Sequence, residues 1–171
     1  YNKHSASQSQ KQIEVRNAFT EASILWKALP QKIKDSWDKS VYGIAMTGRN
    51  MFIKKNCIPI RNGNPGQISF NNGTALPASI KAEAGEAGTI KITYTEKTAP
   101  FLNAVLIKIN AETKKLEAPV CLFDLTANET QSEIKDLESS AEYYIYIIAT
   151  ETTFDKSEKL SDSAGYKIKV S

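Results

Sequence analysis

Leu137-Glu138-Ser139-Ser140-Ala141-Glu142-Tyr143-Tyr144-Ile145-Tyr146-Ile147-Ile148-Ala149 is the stretch on which the fold turns. After polar residues that suit a turn, seven consecutive apolar residues follow, and three of the first four are tyrosines. β-Branched and aromatic residues fit a pleated strand, and alternate positions fall on opposite faces. Tyr143, Ile145 and Ile147 therefore share one face, and Tyr144 and Tyr146 share the other. The second face is expected either to present Tyr144 and Tyr146 as an exposed aromatic surface or to cover the core from its other side.

Working outward, Thr89-Ile90-Lys91-Ile92-Thr93-Tyr94-Thr95 alternates polar and apolar without a break, a half-buried strand. Leu102 to Ile109, Pro119 to Leu125, Gln131 to Lys135, Glu142 to Thr150 and Tyr166 to Val170 read as further strands between polar turns. Six or seven short strands at this spacing predict an antiparallel β-sandwich over residues 79–171. Upstream, residues 58–78 hold Pro59, Asn62-Gly63, Asn64-Pro65-Gly66, Asn71-Asn72-Gly73 and Pro77, which is turn chemistry, so a linker is expected there with a short strand at Gln67 to Phe70.

Residues 1–57 carry a helical period instead. Val15, Phe19, Ala22, Trp26 and Leu29 form one stripe of a helix from about Ser7 to Leu29. Pro30 ends it and suits the first turn of a second helix with Ile33, Trp37 and Val41. Gly43 is the expected stop. Thr47 is the expected cap of a third helix carrying Met51, Phe52 and Ile53, closed by Asn56. Phe19, Trp26, Trp37 and Phe52 are expected to form a small helical core or docking surface. The class is thus α+β: two or three helices, then a sandwich.

Charge divides along the same line. Residues 1–62 hold eleven Lys/Arg against four Asp/Glu, a balance of +7, while residues 63–171 stand at −4. A basic part on an acidic body suits a protein partner or another copy of the chain, with nucleic acid as the second choice. Lys32, Lys34, Arg49, Lys54 and Lys55 are the candidate contacts to phosphate or to an acidic surface.

Catalytic chemistry has little to work with. The one histidine is His4, outside the expected folded body, so a histidine-based nucleophilic mechanism lacks its base. Cys57 and Cys121 make neither a disulfide framework nor a metal-ligand spacing. Glu83, Glu86, Asp124, Asp136 and Asp155 are the carboxylates that folding could bring together for hydrolysis. Gly85-Glu86-Ala87-Gly88 is a turn and not a phosphate cradle. No catalytic, metal or cofactor site is expected, and the chain reads as a non-enzyme. No apolar run approaches the about 20 residues of a membrane helix. The sequence opens on Tyr1, as expected of a processed chain or of only its ordered part. Asn72-Gly73-Thr74 and Asn128-Glu129-Thr130 fit the glycosylation pattern.

Three resemblances add to this. Leu137, Tyr143 and the alternating apolar residues after them resemble a fibronectin type III-like domain over residues 79–171, with Tyr94 where that family usually has Trp. The resemblance implies a sandwich with Tyr143 at a corner, and roles in adhesion, spacing, structure or carbohydrate binding, the last with Tyr144 and Tyr146 as platform. Residues 26–37 and 46–56 resemble two helices of a high-mobility-group box in reversed order, which implies DNA contact. Gln12, Arg16, Phe19, Trp26, Leu29 and Trp37 followed by Gly48, Phe52 and Asn56 resemble uncharacterised bacterial and phage-associated proteins that join such helices to a β-sandwich. Together they lead to a structural or interaction protein, a subunit of a larger assembly, expected at a virion, cell surface or extracellular site rather than in the cytoplasm.

Overall fold

The computed structural model describes residues 9–95, 101–125 and 130–171. Helix α1 spans Gln10–Ala28 and opens with a capping box. The Ser9 N–H donates to the Gln12 side chain at 3.0 Å, and the Ser9 hydroxyl accepts from the Gln12 N–H. Two donors of the helix start are satisfied reciprocally. Helix α2, Gln31–Ser40, follows with Pro30 as the residue before its first turn, one position earlier than expected. Gly43 sits at φ +80°, where only glycine is at ease, and ends the turn after α2. Helix α3, Gly48–Arg61, is capped by Thr47, whose hydroxyl accepts from the Asn50 N–H at 3.2 Å. A Cβ on Gly48 would lie 2.6 Å from the Asp38 backbone nitrogen, so α3 starts directly against the end of α2.

Two expectations for the helices fail. The buried face of α1 is Ala18, Ala22 and Leu25, continued by Leu29, while Val15 and Phe19 are about half exposed. The small alanines let α1 lie close on α3, which turns the bulkier Val15 and Phe19 to the flank. Asn56 does not close α3, which runs on through Pro59 to Arg61 and so crosses the boundary expected at residue 57.

Seven strands follow: β1 Lys81–Ala84, β2 Ile90–Thr93, β3 Phe101–Ile109, β4 Val120–Leu125, β5 Gln131–Ile134, β6 Glu142–Thr150 and β7 Ala164–Lys169. Strand β1 was not anticipated, and Gln67 to Phe70 joins no sheet. The strands form a three-stranded sheet, β1-β2-β5, and a four-stranded sheet, β4-β3-β6-β7, with every neighbour pair antiparallel. Between the sheets lie Ile90, Ile92, Leu102, Leu106, Ile134, Tyr143, Ile145 and Ile147. The Tyr143 hydroxyl accepts from the Glu138 N–H at 3.3 Å, the corner bond that the fibronectin type III resemblance implies. Three helices followed by a fibronectin type III-like sandwich is the fold of this chain.

The helices lie over the second face of the four-stranded sheet. Val105, Ile107, Ile109, Tyr144, Tyr146 and Ile148 pack with Leu25, Leu29, Ile33, Trp37, Phe52 and Ile68 in one continuous apolar cluster. The molecule is therefore three layers, sheet, sheet and helices, with β3 and β6 buried on both faces. This corrects the exposed aromatic surface: Tyr144 is 4% exposed and Tyr146 fully buried, so neither is a carbohydrate platform.

Part of the expected linker, around the buried Ile68 and Ser69, is a seam between these layers. A buried segment outside a sheet must find partners for its backbone elsewhere. Here the side chains on either side supply them. The Tyr146 hydroxyl donates to the Pro65 carbonyl, the Trp37 indole donates to the Ile68 carbonyl at 2.8 Å, and the Ser163 hydroxyl accepts from the Ile68 N–H at 2.8 Å. The Ser36 hydroxyl accepts from the Phe70 N–H at 3.1 Å. Helices and sheet are laced to the same stretch of chain.

Candidate interaction surface and the adjoining cleft

Helix α1 carries two features open to a partner. From Ser9 to Asn17 every residue is exposed, so the first two turns project beyond the packed body. On them and just after, Ile13, Val15 and Phe19 are 38%, 48% and 49% exposed. Lys11, Gln12, Val15, Arg16 and Phe19 line one open, largely apolar hollow on this segment. Large uncovered apolar side chains grouped on one element mark contact surfaces more often than isolated ones do.

Further along α1, two cavities meet. One, of about 200 Å³, is an apolar groove between α1 and the β3–β4 connection, walled by Ile24, Leu25, Ala28, Leu116, Ala118 and Pro119. The other, of about 310 Å³, lies between α1, the end of α3 and the end of the four-stranded sheet; Glu21, Ile60, Lys114, Glu142, Tyr144 and Lys167 line it. Glu21 and Leu116 belong to both. Burial pushes the Glu21 carboxyl up from its ordinary value, and the Lys115 ammonium acts against this. Burial also pushes the Tyr144 phenol up, helped by the carboxylates of Glu21 and Glu142.

Of the residues singled out by sequence, Trp26, Trp37 and Phe52 come together. The Phe52 ring centroid stands 5.2 Å from that of Trp26 and 5.4 Å from that of Trp37. Phe19 stays outside this cluster, which corrects its expected place in the helical core. The docking surface is used within the chain, since Trp37 and Phe52 share a cluster with the sheet.

The five cationic residues do not form a free phosphate-binding set. Lys32 donates to the carbonyls of Phe154 and Asp155 and lies 5.3 Å from the Phe154 ring centroid, which in turn stacks on Phe123. Lys34 donates to the Lys27 carbonyl at the end of α1, a cation at a helix C-terminus. Arg49 donates to the Ser23 hydroxyl at 3.4 Å. Lys54 and Lys55 are exposed on α3. Among the described residues, no ion pair joins a helical cation to a sandwich carboxylate; those present are Lys108–Glu138, Lys135–Glu133 and Lys167–Glu142.

The remaining candidates take structural places. Asp124 sits at φ +53° in a β4 irregularity; its N–H donates to the buried Asn103 side chain, and its carboxylate accepts from the Phe154 N–H at 2.8 Å. A bulged edge strand is a poorer template for pairing with another chain. Glu83 faces Lys91 across the β1–β2 ladder. Asp136 is at φ +61° in a turn. Gly85 to Gly88 form the β1–β2 turn, with the Gly85 N–H donating to the Thr89 carbonyl. Asp155 lends its carbonyl to Lys32. Cys57 and Cys121 are free and part-buried, and burial pushes both thiols up, which weakens them as nucleophiles. Among the described residues no group of three or more His, Cys, Asp or Glu could hold a metal ion, and no helix is long and apolar enough to cross a membrane. Asn72 accepts from the Leu160 N–H and donates to the Glu158 carbonyl, and Thr74 is buried. His4 and the second glycosylation pattern, from Asn128, fall outside the described residues.

No family model matches the chain, and no curated protein matches it. Solved structures do. The FN5 domain of Drosophila Lar is 14% identical, with 57% of this chain and 98% of that chain covered and a TM-score of 0.37. The fn3 domain of human collagen alpha-1(XX) chain is 14% identical, with 60% and 90% covered and a TM-score of 0.38. Domains d3-d4 of the rat CD45 extracellular region are 12% identical, with 58% and 51% covered and a TM-score of 0.32.

Proposed function

We propose that the chain is a non-enzymatic structural or interaction module, a subunit or accessory component of a larger assembly of virion or cell-surface type, whose partner is another copy of itself. The projecting start of α1 carries this reading, because Ile13, Val15 and Phe19 lie uncovered there by the other described residues. Charge favours a second copy as the occupant. The helical part stands at +7 and the sandwich at −4, and among the described residues no ion pair spends that complementarity within the chain. A basic helical segment of one copy against the acidic sandwich of the next is a head-to-tail contact, which builds rings or filaments.

Sedimentation at increasing protein concentration tests it. Association that weakens with added salt, and is lost in a Val15→Glu, Phe19→Glu variant of unchanged thermal stability, is the expected result. A strict monomer at every concentration, or association indifferent to the double substitution, contradicts it. Tight salt-sensitive capture of duplex DNA by the monomer would favour a nucleic-acid role instead.

A further inference from the structure

The 310 Å³ cleft at the foot of α1 holds three polar groups with no hydrogen bond or ion pair among the described residues. The Tyr144 side chain is more than nine-tenths buried, yet among the described residues its hydroxyl has no hydrogen-bond partner, and it lines the cleft. The hydroxyl opens on the cleft, where a ligand can reach it. The Glu21 carboxylate lines the same cleft with neither an ion pair nor a hydrogen bond among the described residues, and so does the Lys114 ammonium at the rim. Glu142 and Lys167, the other charged groups there, stand 4.0 Å apart and face each other. The groups left without a hydrogen bond or ion pair are thus one acceptor, one neutral hydroxyl and one cation, with the Lys115 ammonium acting on Glu21 from the adjoining groove. Ile60, Ile109 and Leu116 supply apolar wall between them, and Leu116 continues into the apolar groove of Ile24, Leu25, Ala28 and Pro119.

We infer that this cleft binds a small zwitterion with an apolar side chain, an aliphatic α-amino acid in chemical class. The ligand's ammonium sits between the Glu21 carboxylate and the Tyr144 hydroxyl, its carboxylate meets Lys114, and its side chain enters the groove past Leu116. The cavity is at the small end of the range for ligand sites, which suits a ligand of this size. Burial helps, because a carboxylate partly removed from water gains more from a cation than an exposed one does. This site does not depend on how copies of the chain associate.

The probe is L-leucine, titrated to millimolar concentration into the full chain while backbone amide resonances are followed, with isocaproate and isoamylamine as controls that each lack one charge. Saturable shifts confined to Glu21, Gly63, Leu116 and Tyr144 are expected. Each control should bind at least about tenfold more weakly, since one charge-assisted contact is lost. Glu21→Gln and Tyr144→Phe are conservative and remove only unpartnered groups; both should abolish the shifts while leaving the rest of the spectrum in place. No saturable shift in the cleft, equal binding by either control, or undiminished binding in Glu21→Gln would overturn the assignment. Loss of self-association without loss of L-leucine binding would count against the assembly reading alone.

Discussion

The Asn56 amide donates to the carbonyls of Phe52 and Gln67, at 2.9 and 2.8 Å, and accepts from the Gln67 N–H at 2.8 Å. The side chain is wholly buried, so these bonds satisfy it and also pair the backbone of Gln67, which has no strand neighbour. Asn56→Ala should therefore cost roughly 3 kcal/mol in denaturant unfolding, because it strands buried backbone groups as well as removing bonds. A loss under about 1 kcal/mol would show the seam to be replaceable by water. Read from sequence, Asn56 is a helix stop, since Asn tolerates the left-handed conformation that often ends helices. Tertiary partners, invisible in a single sequence, set its role instead. Glu21 makes a prediction of the opposite sign. Burial raises its carboxyl in the folded state, so the folded protein holds that proton more tightly than the unfolded chain. Ionised Glu21 then costs stability at neutral pH, and the cost is gone once pH falls below the ordinary value of 4.5. Glu21→Gln should melt higher than the parent at pH 7 and level with it below that value; equal melting at pH 7 would contradict the burial argument.

Elements differ in how openly the sequence declared them. Strand β6 was legible to the residue, because its seven apolar positions are bounded by turn chemistry and leave no other period to choose. Helix α1 was legible in place but not in rotation. Val15 and Phe19, Ala18 and Ala22, and Ile13 and Ile24 give it several apolar lines, and the alanine line won because closeness to α3 outweighs side-chain size. The cover over the sheet could have been read from β3 and β6, whose two faces are both apolar. Val105, Ile107, Tyr144, Tyr146 and Ile148 have no reason to share one face unless another layer lies on it. The candidate cleft was hidden, since Glu21, Lys114 and Tyr144 are brought to one cleft only where α1 meets the end of the four-stranded sheet. The same packing divides α1 into two halves. Amide hydrogen exchange should be fast from Ile13 to Asn17 and slow from Ala22 to Leu25, as only the second stretch is held by tertiary contacts. Uniform protection along α1 in a dilute monomer would mean that its first turns are covered after all.

At the scale of the whole molecule, the central claim is that helices and sandwich are one cooperative unit. The apolar cluster runs without a break from Ala18 and Leu25 through Trp37 and Phe52 to Val105 and Tyr146. Without the helices, the sheet face of Val105, Ile107, Tyr144, Tyr146 and Ile148 would lie open to water, an apolar patch large enough to drive aggregation. The charge split gives no ion pair between the parts among the described residues, so apolar packing and the seam hold them together. Equilibrium unfolding in urea tests this most directly. Fluorescence of Trp26 and Trp37, the only two tryptophans, reports the helices, and amide resonances of Ile92 and Ile134 report the three-stranded sheet farthest from them. One shared midpoint and one shared slope for both probes is the expected result; a tryptophan transition that precedes loss of the Ile92 and Ile134 signals would mean that the helices are a separate part docked on a sandwich that stands without them.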